Sequence, residues 1–503
     1  MSARLPRGLF SANQVRELDA RAISEQGIPA ATLMERAGRR AFSVSERLWP
    51  TAKRIYVVCG IGNNGGDGFV VARLARLAGL EPTIVCVGDQ HRLAGHTAQM
   101  FEAARSVEVP AVDWSNKPAE APDLFVDALL GTGINRDVSG VQAQAVAWMN
   151  DAPTPVLSID IPSGLHADTG RVCGDAVHAA CTVTFIGLKL GLVTGAARAH
   201  CGQLFFDSLG VSRALRDAMT PRAETICYGD LASHLRARSR IAHKGHFGHV
   251  LIVGGNAGLA GAARLSGEAA ARSGAGLISV AVHPQSAAVV GVAQPEMMVR
   301  GVGEAADLTA LLARASVIAI GPGLGVDSWS EAFFATVLAH ATEHDLPTVI
   351  DADGLNRLAG AYHEGDVALP TQLILTPHPG EASRLLDTSV AEVEADRYRA
   401  ALNLAERYSA TVILKGAGTV IASEAGMFVC THGNPGMGSG GMGDVLTGVI
   451  AGLLAQALSP TVAAPLGVCL HASAADTVAE VGGERGLLAS DLFPEIRRLV
   501  NPA

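Results

Sequence analysis

Short apolar runs rich in Val, Ile, Leu and Cys alternate along this chain with stretches whose apolar residues recur at helical spacing. In the first 210 residues the runs are Arg54 to Cys59, Thr83 to Val87, Leu124 to Ala128, Val156 to Ile161 and Thr182 to Ile186, which predicts a doubly wound parallel sheet. Helical patterns fill the gaps. One is Phe69 to Leu77, where Val70, Val71, Leu74 and Leu77 share a face, and others lie between residue 1 and about Leu48. A second βα series follows at His249 to Gly255, Leu277 to Val282, Val317 to Ile320, Thr348 to Asp351, Leu373 to Thr376 and Val412 to Lys415. Between them, Ser212 to Arg240 is rich in Arg and Ala, contains Pro221 and shows little periodicity, so it reads as an interdomain connection. Two α/β domains are expected, over 1–215 and 225–503, and neither repeats the other.

Composition narrows the partners. The 503 residues carry a net charge of −9, which argues against general attraction to nucleic acid or an anionic membrane surface. The first residues have no apolar signal-like region, and Val445 to Leu458 is better read as a buried helix than as a membrane span. The eight cysteines form no C-x-x-C pair and mostly sit in apolar runs, as expected of reduced structural thiols in a cytoplasmic protein.

Two glycine-rich turns with one acidic residue each then suggest two sites: Gly60-Ile-Gly-Asn-Asn-Gly-Gly-Asp-Gly68 and Gly433-Asn-Pro-Gly-Met-Gly-Ser-Gly-Gly-Met-Gly-Asp444. Glycine permits φ > 0 and close approach of backbone N–H groups to an anion, and a following helix adds partial positive charge. Neither turn has the order of a dinucleotide fingerprint or the Lys-Ser/Thr of a P-loop. In the first half, Asn63, Asn64 and Asp67 follow one strand, Asp127 ends another, and Asp160 with Ser163 ends a third, so one crevice gathers them. Asn64, Asp127 and Ser163 are oxygen donors suited to a hard cation, while Asp160 is placed to move a proton. Lys189 is a candidate phosphate contact, although a lone lysine is more often solvated. In the second half, Asp444 at a helix N-terminus can orient a hydroxyl while the neighbouring N–H groups stabilise a moving phosphoryl group. His243, His246 and His249 crowd seven residues, but their spacing is not that of a zinc motif.

The blocks Asn63-Asn-Gly-Gly-Asp-Gly68, Val126-Asp-Ala-Leu-Leu-Gly-Thr-Gly133 and Ser158-Ile-Asp-Ile-Pro-Ser-Gly164 resemble the epimerase domain that repairs hydrated nicotinamide cofactors. The resemblance implies a Rossmann-like domain that interconverts the R and S epimers of NADHX and NADPHX. It implies K+ at Asn64, Asp127 and Ser163. It also implies substrate contacts from Asn63, Asn64, Gly65, Gly66 and Asp67, from Gly131, Thr132, Gly133, Ile134, Asn135, Arg136 and Asp137, and from Asp160, the candidate catalytic residue.

The C-terminal glycine loop is similar to the anion hole of the ribokinase-like fold. Together with His243-Lys-Gly-His-Phe-Gly-His249, Ile320-Gly-Pro-Gly-Leu-Gly325, Val349-Ile-Asp-Ala-Asp-Gly354, Leu375-Thr-Pro-His-Pro-Gly-Glu381 and Leu414-Lys-Gly-Ala-Gly-Thr419, it looks like the NAD(P)HX dehydratases. Met442 replaces the threonine common in that loop. The resemblance implies that ADP phosphorylates the hydroxyl of S-NAD(P)HX, after which loss of phosphate restores NAD(P)H. Ala262, Gly323, His378 and Asp444 would meet the hydrated cofactor, with Asp444 catalytic. Lys415, Gly416, Ala417, Gly418, Thr419 and Gly443 would meet the nucleotide, ADP or ATP, together with Mg2+. Asp351, Asp353 and Glu381 are candidates for orienting its waters and equally for buried structural acids. The combined expectation is a bifunctional NAD(P)H-hydrate repair enzyme: a Rossmann-like doubly wound domain followed by a ribokinase-like α/β domain, assembled as a homo-oligomer. The alternative is a thiazole- or hydroxymethylpyrimidine-type kinase fused to a non-catalytic Rossmann-like binding domain.

Overall fold

The computed structural model describes residues 5–364 and 367–501, and the chain divides into two compact units between Thr225 and Ile226. In the N-terminal unit, strand β1 is Gly8–Phe10, and the main sheet uses β2 (Arg54–Cys59), β3 (Glu81–Cys86), β4 (Ala111–Asp113), β5 (Leu124–Ala128), β6 (Val156–Ile159) and β7 (Cys181–Phe185). The two-residue β8 (Leu188–Lys189) precedes β9 (Gln203–Asp207) and β10 (Ala223–Ile226). The sheet order is β4-β3-β2-β5-β6-β7-β9, parallel throughout, so the order reverses between β2 and β5. Alternate residues of β2 enter opposite layers, with Ile55, Val57 and Cys59 in one core and Tyr56 and Val58 in the other. This two-sided burial gives the strands their unbroken apolar character.

The glycines of the first turn serve a different purpose from the one expected. None of Gly60, Gly62, Gly65, Gly66 and Gly68 has positive φ, and the helix spans Asn63–Leu77, six residues longer at its start than the periodicity predicts. A Cβ on Gly65 would stand 2.0 Å from the Gly60 carbonyl oxygen, and one on Gly68 would stand 2.5 Å from Ala128 Cβ. The glycines thus let the first helical turns lie directly on β2 and β5. Glycine lowers the helical propensity of this segment, which is why its start was not legible from apolar spacing. Leu77, expected on the inner face, is 61% exposed.

The segment expected to be only a connection contains a helix, Arg213–Asp217, and β10, which pairs antiparallel with β1 through Gly8↔Glu224 and Leu9↔Ala223. Strands of three and four residues are too short to leave a periodic trace.

The C-terminal unit contains β11 (His249–Val253), β12 (Leu277–Val282), β13 (Met298–Gly301), β14 (Val317–Ile320), β15 (Thr348–Ile350), β16 (Leu373–Leu375), β17 (Thr411–Leu414), β18 (Thr419–Ser423) and β19 (Gly426–Cys430). Their order is β13-β12-β11-β14-β15-β16-β17-β18-β19, parallel up to β17 and antiparallel beyond. Helix Met442–Ala455 crosses helix Ala260–Ser273 at very close range. A Cβ on Gly448 would approach the Ser266 carbonyl oxygen to 2.0 Å, and one on Gly452 would approach Ser273 Oγ to 2.2 Å. Among the described residues, helix Pro460–Gly482 alone is long and apolar enough to cross a membrane, but two thirds of its apolar window is buried in this unit, as in a core helix.

Candidate active sites

In the N-terminal unit the strand-order reversal places the turn after β2 beside the turn after β5, and a cavity of about 510 Å3 opens there. Asn63, Asn64, Asp67, Gly131, Thr132, Gly133 and Asp160 all line it. Gly65 and Gly66 lie buried within the helix, and Ile134, Asn135, Arg136 and Asp137 lie outside the cavity lining, with Asp137 3.5 Å from Arg171. Further lining comes from Asp19, Met34, His96 and Gln142, which sequence reasoning missed because no glycine motif or strand end marks them.

Beneath the cavity, Asp127 is fully buried and saturated. Its Oδ1 accepts from Ser163 Oγ and Leu129 N, and its Oδ2 accepts from Ser158 Oγ at 2.8 Å and Ser163 N at 2.9 Å. Burial raises its pKa, and these four hydrogen bonds oppose the rise. Leu130 links the set: its N–H donates to Ser163 Oγ at 2.8 Å, and its carbonyl accepts from Asn64 Nδ2 at 2.9 Å. Asn64 Oδ1 is buried with no hydrogen-bond partner.

Asp160 follows β6 at φ +69°, a strained conformation for a side-chain-bearing residue. Lys189 is fully buried rather than solvated: its Nζ donates to Asp160 Oδ1, to Thr184 Oγ1 at 3.0 Å and to the Phe185 carbonyl at 3.1 Å. Its ammonium is thereby tied to the carboxylate.

In the C-terminal unit, Gly441 at φ +91° starts helix Met442–Ala455 and sets Asp444 in its first turn. A Cβ on Gly443 would lie 3.5 Å from Lys415 Nζ and 3.7 Å from Asp351 Oδ2, so the loop abuts the end of β17. Lys415 Nζ is 2.7 Å from Asp351 Oδ1 and 3.7 Å from Glu381 Oε2. Burial disfavours the ammonium, but Asp351 and Glu381 outweigh it and raise its pKa. For Asp351, the raising effect of burial is overcome by Lys415 and by the 2.7 Å hydrogen bond from Thr447, leaving the pKa low. Asp444 goes the other way: burial first, then Asp351, push it up to about 7, with Lys415 opposing.

His378 caps helix Pro379–Leu386. Its Nδ1 accepts from Gly380 N at 2.9 Å and Glu381 N at 3.3 Å, and its Nε2 lies 3.3 Å from Glu381 Oε1. These contacts assign the hydrogen to Nε2. Ala262 and Gly323 are neighbours, a Cβ on the latter falling 3.1 Å from Ala262 Cβ. The turn from Lys415 to Thr419 uses Gly416 at φ +140° and Gly418 at φ +68°, and Thr419 Oγ1 donates to the Gly416 carbonyl. Arg397, buried under this turn, donates to the carbonyls of Leu414 and Lys415. Arg397, Thr447 and the buried His471, whose Nε2 is without a partner and whose pKa burial lowers to about 4, were not legible in the sequence because they sit inside helical patterns. Asp353 accepts from Gly325 N at 2.9 Å. The three clustered histidines are otherwise engaged: His243 and His246 stack at 3.8 Å, and His249 Nε2 lies 2.8 Å from Ser279 Oγ.

These features define a two-domain α/β enzyme, one unit Rossmann-like and one ribokinase-like. The family models for YjeF-related protein N-terminus and for NAD(P)H-hydrate dehydratase match residues 30–191 and 250–498. The bifunctional NAD(P)H-hydrate repair enzyme Nnr of Coxiella burnetii is 46% identical over 98% of this chain and 99% of its own length. Its Escherichia coli counterpart is 41% identical over 99% and 95%. A solved ribokinase-like superfamily protein from Enterococcus faecalis is 30% identical with a TM-score of 0.51, covering 55% of this chain and 94% of that one. The chain belongs to the bifunctional NAD(P)H-hydrate repair enzyme family, with an epimerase domain followed by an ADP-dependent dehydratase domain.

Proposed function

We propose that the N-terminal cavity epimerises R- and S-NAD(P)HX and that the C-terminal site dehydrates the S epimer, with Asp160 and Asp444 as the respective catalytic carboxylates. The observation that carries this reading is the contrast between them. Asp160 is held beside a buried ammonium in the wall of an open cavity, whereas burial and Asp351 push Asp444, at a glycine-rich helix N-terminus, up to about 7.

In the first site, Asn63, Asn64, Asp67, Gly131, Thr132 and Gly133 enclose the hydrated ring and its phosphates, and Gly65 and Gly66 contribute backbone. Gly131 to Asp137 form the adjoining loop, with Ile134, Asn135, Arg136 and Asp137 available at its outer part. The set of Asn64, Asp127 and Ser163 fits K+: all present oxygens, Asn64 Oδ1 is buried and free to ligate, and Asp127, whose oxygens are already hydrogen-bonded, would supply negative charge beneath the ion. Bound there, K+ would supply a fixed charge that orders the turns after β2 and β5.

In the second site, Lys415, Gly416, Ala417, Gly418, Thr419 and Gly443 hold the phosphates of ADP or ATP, and Ala262, Gly323 and His378 position the hydrate against Asp444. Asp444 accepts the substrate hydroxyl proton while N–H groups and Lys415 offset charge on the transferred phosphoryl. Mg2+ would enter with the nucleotide and neutralise its phosphate charge, since Asp351, Asp353 and Glu381 are already engaged by Lys415, Thr447, Gly325 N and His378 N. Elimination of phosphate from the phosphorylated carbon then restores the dihydronicotinamide. Cytoplasmic location and assembly of identical chains belong to the same reading.

Incubating S-NADHX with Mg2+ and ADP tests it. Restored dihydronicotinamide absorbance with one phosphate released per turnover supports dehydration; a stable phosphorylated product would favour a small-alcohol kinase.

A further inference from the structure

Six titratable side chains line the N-terminal cavity: Arg16, Asp19, Asp67, His96, Asp160 and Lys189. Three carboxylates thus come from elements distant in sequence: helix Ala12–Gln26, helix Asn63–Leu77 and the end of β6. Lys189 is committed to Asp160, and neither Asp19 nor Asp67 has a hydrogen-bond or ion-pair partner among the described residues. The buried, unpartnered Asn64 Oδ1 lies on the same cavity and independently marks it as built around a ligand.

Three carboxylates beside one ammonium cannot all ionise without repulsion. Burial raises Asp67 well above the ordinary carboxylate range, Asp160 and Asp19 add to the rise, and Lys189 opposes it. Asp19 is raised by burial and then by Asp160, again against Lys189. Each of the two therefore holds its proton to higher pH than an exposed aspartate does.

We propose that Asp19 is a second catalytic carboxylate of the epimerase, acting with Asp67 as general acid, while Asp160 serves as the base. This rests on the epimerase reading of the cavity. The acid proton passes to the hydroxyl on the ring carbon next to nitrogen, the C–O bond breaks, water leaves, and the nitrogen lone pair forms a C=N iminium. Water then adds to the other face. Its oxygen forms the new C–O bond, the iminium electrons return to nitrogen, and the surplus proton goes to Asp160, from which solvent exchange restores the Asp19–Asp67 acid. One water leaves, one enters, and no redox partner is needed.

The test uses the full chain without nucleotide, following R-to-S conversion by chromatography from pH 5 to 9. Asp19→Asn is expected to lower kcat about 100-fold or more with KM changed little. Wild-type activity should fall as pH rises through the raised carboxyl pKa values. In the residual activity of Asp19→Asn that descending limb should move to lower pH, because Asp67 has lost a negative neighbour. A purely structural role would not move the limb. Unchanged rate and profile in Asp19→Asn, alongside inactivity of Asp160→Asn, would overturn the role of Asp19 alone; full activity of Asp160→Asn would overturn the reading of the cavity. If Asp19→Asn fails to fold, the wild type decides: a rate that rises with pH through neutrality overturns the acid assignment.

Discussion

The Nζ of Lys415 stands 2.7 Å from Oδ1 of Asp351, and the other oxygen of that carboxylate accepts from Thr447, so a residue at the end of β17 is fixed by one following β15 and one on the helix that carries Asp444. The buried carboxylate holds the ammonium where the Gly443 backbone passes. Asp351→Asn leaves that ammonium with Glu381, 3.7 Å away, as its nearest carboxylate. Breaking a buried pair from one side costs roughly 3 kcal/mol or more. Denaturant unfolding of the variant should show a loss of that order in the C-terminal unit, and the KM for ADP should rise while R-to-S epimerisation is retained.

As the proposed base, Asp444 should set the pH dependence of dehydration. Its pKa is raised to about 7, and the base form is the active one, so kcat/KM should climb about tenfold per pH unit below 7 and level off above it. Asp444→Asn should abolish the climb together with at least about 100-fold of the rate. The check is a pH–rate profile of phosphate release with S-NADHX at saturating ADP and Mg2+.

Potassium should act on one activity only. Replacing K+ by a bulky monovalent cation such as tetramethylammonium should slow epimerisation and lower the melting temperature of the N-terminal unit, with dehydration of S-NADHX unaffected. Asn64→Ala should remove this K+ sensitivity. Parallel titrations of the two activities make the comparison within one preparation.

Helix Met442–Ala455 reaches its position because Gly448, like Gly452, has no side chain. A methyl there would meet the Ser266 carbonyl oxygen at 2.0 Å, a clash with backbone rather than with a movable side-chain tip. Gly448→Ala should cost about 1–3 kcal/mol or more by overpacking and displace Asp444 at the helix start. Calorimetry should show a lower melting transition, and dehydratase activity should fall while epimerase activity is kept.

Much of this was legible in the chain because buried parallel strands leave continuous apolar runs: β2, β5, β12 and β14 fall on the expected residues. Strand ends also announce themselves, as with Asp160 and the turn from Lys415 to Thr419. What stayed hidden acts without a local pattern. Asp19 looks like any polar residue of an amphipathic helix until the fold brings it to the cavity of Asp160. Lys189 reads as a surface lysine until β8 is seen to be buried. Thr447 and Arg397 sit within helical spacing, and the packing role of Gly65 and Gly68 depends on partners far away in sequence.

A mixed-epimer NADHX preparation with Mg2+ and ADP separates the roles of the two carboxylates in one assay. Wild type should return the whole pool to NADH. Asp160→Asn should recover only the S fraction and leave R-NADHX unreacted, while Asp444→Asn should interconvert the epimers without forming NADH. Complete recovery by Asp160→Asn at the wild-type rate, or NADH formation by Asp444→Asn, would show that these carboxylates do not serve the two reactions.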